Sequence, residues 1–329
     1  MAEKRTGTIS TWTELTPRLA VFRLSPEAGA AFPDYKAGQY IALIRQNCRL
    51  TVRSSKPGGS GYEPAFNPDG TPRMGPVGHS YSIASAPFET KATGDLELYV
   101  ALEQTGDGTT GRFTESLFRA AEHKGDTLTY YERIVGDFIL EKRAAEARNV
   151  VLVGTGTGVA PFVSMAKQLA HEAKAGQGSS TRYTIIHANR TVAELGYDAE
   201  LRDLAAAGIP GFDFQYVRAI SRPTPDDAAD GTLCLGRANN LLRLLLGAPT
   251  REEELIGITR DGGGDVTAAE RAFSTCTLPK LGRDVDAAAL RARMPAGATT
   301  VLTCGNPGLM DDIGRMCSRA DFKFEMEEW

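Results

Sequence analysis

The residues that point most directly to chemistry are three glycines, Gly154, Gly156 and Gly158, which follow an apolar run at residues 150–153. A helical pattern begins at Phe162, so the order is strand, glycine turn and helix N-terminus. Glycines let the backbone turn sharply and approach a pyrophosphate closely, and the free N–H groups of a helix N-terminus attract anions. Val159 stands where the usual dinucleotide pattern has its third glycine. By itself, this turn predicts either nucleotide binding or an ordinary tight connection.

Three further motifs accompany the glycine turn. Residues 79–87 (HSYSIASAP) resemble the first flavin motif of the ferredoxin–NADP reductase family, R-x-Y-S followed by small residues and Pro. Residues 111–114 (GRFT) resemble its second flavin motif, and residues 154–161 (GTGTGVAP) resemble its nucleotide motif. Residues 304–307 (CGNP), with Met310 close behind, resemble its C-G-x-P segment. All four occur in the family's order over nearly the whole chain, and the chain is most similar to the bacterial branch.

The resemblance implies an antiparallel β-barrel domain that binds FAD, at residues 1–147, followed by a doubly wound parallel-sheet α/β domain that binds NADP, at residues 148–329. It implies a ferredoxin/flavodoxin–NADP reductase, which passes electrons from NADPH by hydride transfer to flavin and then singly to ferredoxin or flavodoxin, reversibly. One alternative is a reductase component of an oxygenase, or a reductase of free flavin or quinone. Another is a non-catalytic flavin-binding regulatory protein, although such a protein has no need of a nicotinamide subsite.

The first flavin motif departs from the family at one position. By resemblance, Tyr81 and Ser82 lie against the flavin, with the serine hydroxyl near the N5 atom where hydride arrives. His79 stands where the family has an arginine that contacts the flavin pyrophosphate. A neutral imidazole binds an anion more weakly than a guanidinium does. Arg112, or a basic residue between residues 46 and 77, is therefore expected to take over this contact.

Two other flavin candidates have equally ordinary interpretations. Thr114 is either a first-turn residue that caps a helix or a contact to the pyrophosphate. Tyr99 is either a flavin contact, as in the family, or a core residue of its strand. The complete set of predicted flavin-binding residues is His79, Ser80, Tyr81, Ser82, Tyr99, Gly111, Arg112, Phe113 and Thr114.

Three arginines favour NADP over NAD. Sheets that bind NAD usually carry an acidic residue at the end of their second strand, whereas here that strand ends in Arg190. Arg222 and Arg237 resemble family positions at the same subsite. Three guanidinium groups in one pocket are costly without a dianion to neutralise, but three solvated arginines are also common on any surface. The predicted nucleotide-binding residues are Thr155, Gly156, Thr157, Gly158, Asn189, Arg190, Ser221, Arg222, Arg237, Cys304 and Gly305.

Two candidates for catalysis lie near the end of the chain. Cys304 follows an apolar strand, and a doubly wound sheet binds its ligand at the carboxyl ends of its strands. By resemblance it lies against the nicotinamide and positions the ring; the alternative is a structural buried cysteine. Glu327 matches a family carboxylate near the flavin, or belongs to a solvated acidic tail. Trp329 is expected to pack on the flavin ring system. Ser82, Cys304 and Glu327 are the predicted catalytic residues.

Composition narrows the class of protein. Of 329 residues, 42% are hydrophobic and 24% are charged, which is typical of a soluble globular protein. The formal net charge of −4 argues against nucleic acid as a partner. A polar N-terminus and the lack of a long apolar run predict a cytoplasmic protein, with no membrane contact and with a monomer favoured. The five cysteines form no C-x-x-C pair, so neither an iron–sulfur cluster nor another metal site is expected.

The periodicity of the chain agrees with two domains. Short strands with turn signals continue to about residue 135, and strand–helix alternation follows. Residues 46–77 and 249–280 fit neither pattern and are interpreted as insertions with long loops. From residue 45 to 78 there are five basic side chains and two acidic ones, in a chain that is acidic overall. This first insertion is expected to help dock an acidic carrier, or else to be a solvated loop or a cover for the FAD adenine.

Overall fold

The computed structural model describes residues 3–54, 61–104 and 109–327. The chain forms two compact units, Met1–Asp137 and Phe138–Trp329. The division falls earlier than the 147/148 boundary that the change of periodicity indicates. Phe138 belongs to the second unit because its ring packs against that of Phe162, with the centroids 5.9 Å apart.

The first unit is built on a six-stranded antiparallel sheet in the order β6-β3-β8-β1-β2-β7. A bridge between Ile83 and Leu98 links the end of β6 to β7. The two edge strands therefore meet, and the predicted antiparallel barrel is confirmed. The elements are β1 (Lys4–Thr16), β2 (Leu19–Ser25), β3 (Tyr40–Arg49), β4 (Thr51–Arg53), β5 (Tyr62–Pro64), β6 (Met74–Ser82), α1 (Pro87–Thr93), β7 (Leu96–Ala101), α2 (Arg112–Phe118) and β8 (Thr127–Val135).

Alternating side chains form the core of this barrel. Phe22 and Leu24 on β2 and Ile41 and Leu43 on β3 are fully buried, while the residues between them are partly exposed. Because side chains alternate along a strand with a period of two, one side of each strand faces the interior of the barrel. Helix α2 closes the core with Phe113 and Leu117.

Helix α1, which the sequence analysis did not predict, has clear end signals. Pro87 occupies its first turn, and the Glu89 carboxylate accepts a hydrogen bond of 2.7 Å from the Ala86 N–H. Gly94 ends the helix in the left-handed conformation, with a φ of 81°. These signals were obscured because the helix has only seven residues and directly follows the first flavin motif.

The insertion predicted at residues 46–77 is largely paired rather than a long loop. Strands β3 and β6 continue their ladder to the Arg49–Met74 pair. Beyond it, β4 and β5 form a separate two-stranded sheet. We call the segment from β4 to residue 73 the hairpin excursion. It is an outgrowth of two barrel strands.

The second unit is a six-stranded parallel sheet in the order β12-β11-β10-β9-β13-β14, which confirms the doubly wound domain. The chain reverses its direction of growth between β9 and β13. Its elements are α3 (Leu140–Arg143), β9 (Asn149–Thr155), α4 (Ala160–Lys174), β10 (Arg182–Asn189), α5 (Asp198–Ala206), β11 (Asp213–Ile220), α6 (Pro225–Asp230), β12 (Cys234–Leu235), α7 (Ala238–Leu245), α8 (Arg251–Asp261), α9 (Thr267–Thr275), α10 (Ala287–Ala292), β13 (Thr299–Cys304), α11 (Pro307–Arg319) and β14 (Lys323–Met326).

The second predicted insertion, residues 249–280, is also more ordered than a loop, because it contains α8 and α9. Thr250 caps α8, and Glu253 completes the reciprocal hydrogen bonds of a capping box. The helix is anchored by the fully buried Arg243 of α7, which bonds the Glu254 carboxylate at 2.6 Å and the Asp312 carboxylate at 2.7 Å. We call residues 249–280 the helical excursion.

A buried histidine makes this unit sensitive to acid. His187 of β10 is fully buried, and its Nδ1 atom lies 3.1 Å from the Tyr216 hydroxyl. That hydroxyl donates a hydrogen bond of 3.1 Å to Asp198. Desolvation lowers the pKa of His187 from 6.5 to about 4, so the folded protein keeps the ring neutral where the unfolded chain protonates it.

We therefore expect the free energy of unfolding to fall between pH 6.5 and about 4. Over that range His187 contributes a loss of up to roughly 3 kcal/mol, because each pKa unit corresponds to about 1.4 kcal/mol. Urea unfolding of the natural protein and of His187→Gln at several pH values measures this. The stability advantage of the natural protein over the variant should shrink as the pH falls. A difference that does not change with pH would contradict the assignment.

Candidate cofactor and nucleotide sites

In the first unit, the two predicted flavin motifs come together as an aromatic cluster. The ring of Tyr81, on β6, lies 4.9 Å from that of His79 and 5.3 Å from that of Phe113, on α2. The sheet places alternate residues of β6 on the same side, so His79 and Tyr81 point the same way. The barrel thus brings residues about thirty positions apart into one site.

Two hydroxyl groups on consecutive residues at the end of β6 are buried without a partner. The Tyr81 hydroxyl and the Ser82 Oγ make no hydrogen bond within the described part of the chain. Burial also raises the pKa of Tyr81 well above its usual value, so the phenol stays protonated and can donate. A buried hydroxyl without a partner costs about 1–3 kcal/mol. The site therefore has unused hydrogen-bonding capacity that a polar ligand can satisfy.

His79 is prepared to donate a hydrogen bond. Its Nδ1 atom accepts the Ser80 N–H at 2.9 Å. With Nδ1 acting as an acceptor, a neutral ring carries its proton on Nε2. That N–H can bind a phosphate oxygen, although more weakly than the guanidinium of the family arginine. His79 and the neighbouring candidate Arg112 are both exposed, as an anion contact requires.

The remaining flavin candidates are more enclosed. Thr114 is buried, and its hydroxyl lies 3.3 Å from the Gly111 carbonyl, which it bonds as a local turn contact. Gly111 directly precedes α2. Tyr99 is 3% exposed and lies on β7 opposite Val21, in the position of a core residue. Their roles toward a flavin stay predictions.

In the second unit, the glycine turn packs directly against the loop that follows β13. A Cβ atom at Gly158 would lie within 2.7 Å of the Gly305 nitrogen, and closer still to the Cys304 carbonyl. The Thr155 hydroxyl accepts a hydrogen bond of 3.0 Å from the Asn306 N–H. The turn and this loop thus form one tight junction at the carboxyl ends of β9 and β13, where a doubly wound sheet binds its ligand.

The catalytic candidates of this unit lie at the same edge of the sheet. Cys304 ends β13 opposite Gly154 and is 1% exposed. Glu327 follows β14, where its N–H donates to the Thr303 carbonyl, and it is 5% exposed rather than part of a solvated tail. Trp329 lies outside the described residues.

The predicted nucleotide residues after β10 and β11 also form a connected group. The Ser221 N–H donates to the Asn189 carbonyl at 2.9 Å, and the Arg222 N–H donates to the Arg190 carbonyl at 2.8 Å. The side chains of Arg190 and Arg222 are exposed. Because neighbouring strands end together, these residues line one edge with the glycine turn.

Arg237, just after β12, has an acidic partner that the sequence analysis missed. Its Nη1 atom lies 3.2 Å from Oε1 of Glu252, a buried residue of α8. The other carboxylate oxygen of Glu252 accepts 2.8 Å from the Asn240 amide. At the far end of the helical excursion, the Thr277 hydroxyl donates to the Ser221 carbonyl at 2.6 Å. Both ends of the excursion therefore contact the predicted nucleotide residues, which no local sequence signal indicates.

Within the described residues, no group of His, Cys, Asp and Glu side chains is arranged to hold a metal ion. The helices described here include none that is both long and apolar enough to cross a membrane. All five cysteines are free thiols.

Comparison with known proteins identifies the second unit. Residues 152–235 match the family model of the oxidoreductase NAD-binding domain. They contain the glycine turn, Asn189, Arg190, Ser221 and Arg222. No curated protein sequence matches the chain significantly.

Solved structures resemble the whole chain. A ferredoxin NADP⁺ reductase from Neisseria gonorrhoeae, with bound FAD and NADP, is 20% identical, with a TM-score of 0.57 and 99% of each chain covered. The FAD/NAD-binding domain of a nitric oxide dioxygenase from Vibrio cholerae is 18% identical, with a TM-score of 0.57 and 98% of each chain covered. The cytochrome b5 reductase domain of Ulva prolifera nitrate reductase is 14% identical, with a TM-score of 0.53, covering 99% of this chain and 97% of that one.

The class of protein follows from these matches. The chain has the two-domain fold of ferredoxin–NADP reductase-type oxidoreductases, and its second unit contains an oxidoreductase NAD-binding domain. The two-domain fold that the four motifs imply is thereby confirmed.

The junction at Gly158 gives a direct test of the nucleotide site. In Gly158→Ala the new methyl group collides with backbone atoms, which cannot move aside as a side chain can. We expect the free energy of unfolding to fall by about 1–3 kcal/mol and nicotinamide dinucleotide binding to weaken. Chemical denaturation and dinucleotide titration measure the two effects.

Gly257→Ala in α8 is the matched control. A Cβ at Gly257 meets no atom within 4 Å. Alanine in a helix is favoured over glycine, so this change should be neutral or stabilise by roughly 0.4–1 kcal/mol, with binding unchanged. Similar behaviour of the two variants would mean that the junction does not shape the site.

Proposed function

We propose that this protein is a cytoplasmic, FAD-dependent oxidoreductase that passes electrons from NADPH, through FAD, singly to a protein carrier of the ferredoxin or flavodoxin type. The proposal that the protein binds FAD rests on the hydroxyl groups of Tyr81 and Ser82, which are buried without a partner beside the His79–Phe113 cluster. The proposal that it uses a nicotinamide coenzyme rests on the match to the NAD-binding domain.

The residues of the first unit fit FAD. Tyr81 and Ser82 would bind the polar edge of the flavin, and the aromatic cluster would lie against its ring. His79, through Nε2–H, and Arg112 would hold the pyrophosphate beside Gly111 and Thr114. When bound, FAD supplies the exchange between two-electron and one-electron transfer. The protein's own share is to orient the cofactor and exclude water.

The residues of the second unit fit NADPH. The glycine turn would approach the pyrophosphate, while Arg190, Arg222 and Arg237 would bind the 2′-phosphate. Cys304 would position the nicotinamide, and Glu327 would lie at the same sheet edge. The gonococcal reductase, which has bound FAD and NADP, supports this pair of cofactors.

A second candidate function keeps the reductase and changes the electron acceptor. The similarity to domains of a nitric oxide dioxygenase and a nitrate reductase favours it, since in both proteins the domain is part of a larger enzyme. Steady-state reduction of a panel of ferredoxins, flavodoxins, free flavins and quinones by NADPH separates the two. Preference for free flavin or quinone, or inactivity with every ferredoxin and flavodoxin, would favour the second candidate.

The cofactor proposal predicts a yellow protein with one noncovalent FAD per chain. Extraction and chromatography identify the flavin, and recovery of FMN, or failure to take up FAD, would exclude the proposal. His79→Arg restores the bidentate donor of the family and should tighten FAD binding. Unchanged retention in that variant would mean that another group holds the pyrophosphate.

The coenzyme proposal predicts a change of specificity. Arg222→Ala and Arg237→Ala should each weaken NADPH use by ten- to a hundredfold, with a much smaller effect on NADH, because a charge-assisted hydrogen bond is worth roughly 1.5–3 kcal/mol. Steady-state kinetics with both coenzymes measures this. Equal losses would show that these arginines do not bind the 2′-phosphate.

Glu252→Gln tests the same subsite with a change that should act in the opposite direction. The change removes the carboxylate that partly neutralises Arg237. NADPH preference over NADH should therefore rise in Glu252→Gln. Glu270→Gln is the control, since Glu270 is an exposed residue of the same excursion. A lower NADPH preference in Glu252→Gln would mean that Glu252 orients Arg237 more than it neutralises it.

A further inference from the structure

The hairpin excursion exposes an unusual number of large apolar side chains. Tyr62 is 50% exposed, Phe66 is 60% exposed and Met74, where β6 begins, is 44% exposed. Single exposed apolar residues are common on any protein, but a cluster on one element marks an interaction site.

These side chains share one face. Along the strand, Tyr62, Pro64 and Phe66 are exposed while Ala65 is buried, which is the alternation of a sheet covered on one side. Phe66 is bridged to Pro72, and Met74 follows Pro72 by two residues. Arg53 lies directly opposite Tyr62. We call Arg53, Tyr62, Phe66 and Met74 the excursion face.

The charges around this face are not all available. Arg45 is buried against Asp126, with 2.7 Å between Nη2 and Oδ2, and Arg49 lies 3.3 Å from Glu115. These two of the basic residues counted in the sequence therefore support α2 and β8. Arg53 and Arg73 are exposed and form no ion pair with the described residues. The face itself carries the basic Arg53, with Arg73 beside it, while the exposed Asp69 lies at the turn of the excursion and Glu63 lies on the opposite face.

We propose that the excursion face is the docking surface for the electron carrier, whose complementary surface is an apolar patch surrounded by carboxylates. This inference rests on the proposed function. Aromatic residues, Met and Arg are the residue types enriched at protein interfaces, and charges at the rim speed the encounter. β6 runs from Met74 to His79–Ser82, so one residue of the face lies on the strand that carries the first flavin motif. Two copies of this face would bring arginines together, which disfavours self-association.

The test compares a double variant, Arg53→Glu with Phe66→Ser, against the control Val52→Ser. Val52 is 44% exposed but pairs with Glu63, on the other face of the hairpin. With NADPH, the double variant should reduce an acidic [2Fe–2S] ferredoxin or a flavodoxin at least about tenfold more slowly at low salt, with a flatter salt dependence. Its FAD content and its reduction of ferricyanide should stay unchanged, as should all activities of the control.

Other results would overturn the proposal. If the double variant and the natural protein reduce the carrier at equal rates, the excursion face has no role in docking. A parallel loss of ferricyanide reduction or of FAD would make the hairpin a support for the flavin. A dimer of the natural protein in sedimentation analysis that the double variant abolishes would assign the face to a second copy. The natural protein could also take up FAD and oxidise NADPH but neither bind nor reduce any carrier. That result would contradict the carrier step of the proposed function, and it would contradict this docking proposal as well.

Discussion

The second unit depends on one close approach of two backbones. The glycine turn after β9 lies so near the loop after β13 that a side chain at Gly158 would collide with the Cys304 carbonyl. Thr155 and Asn306 fasten the same junction with a hydrogen bond. Because all six strands are parallel, every loop that follows a strand emerges at this edge. The junction therefore sets the position of Cys304 and of the neighbouring loops at the edge where a doubly wound sheet binds its ligand.

Buried polar groups stabilise the helical excursion, which packs beside the same edge of the sheet. Arg243 is fully buried, yet its guanidinium bonds two carboxylates and the Pro249 carbonyl, so its charge is compensated. Forming a buried group of ion pairs adds little net stability. Removing one partner costs much more, because it leaves a charge buried without a partner. The helical excursion is thus fixed in place next to Arg237 and Ser221, and its contacts to them persist because the anchor is specific.

Much of this architecture could be predicted from the sequence because its signals are local. The strand periodicity and the order of the four motifs predict both folds. Helices α8 and α9 were missed although Thr250 and Glu253 form a capping-box pattern, because glycines at residues 262–264 indicated a loop. The Glu252–Arg237 pair could not be predicted, since only the tertiary fold brings α8 to the end of β12.

The charge of the first insertion can be counted from the sequence, but its distribution over the surface cannot. Five basic residues were counted in and beside the first insertion, but the fold pairs Arg45 with Asp126 and Arg49 with Glu115. The net charge of a segment therefore does not show which of its charges remain available at the surface. The exposure of Tyr62 and Phe66 follows from which side of a short hairpin is covered, and periodicity alone does not specify that side.

The hairpin excursion grows from two strands that are already paired within the barrel. Barrel closure involves Ile83 and Leu98, away from the excursion, so a longer or shorter hairpin leaves the barrel intact. The entropic cost of lengthening such a loop rises only slowly with its length. Exchange of this hairpin therefore leaves barrel closure undisturbed, so the surface that the excursion presents can change while the barrel stays the same.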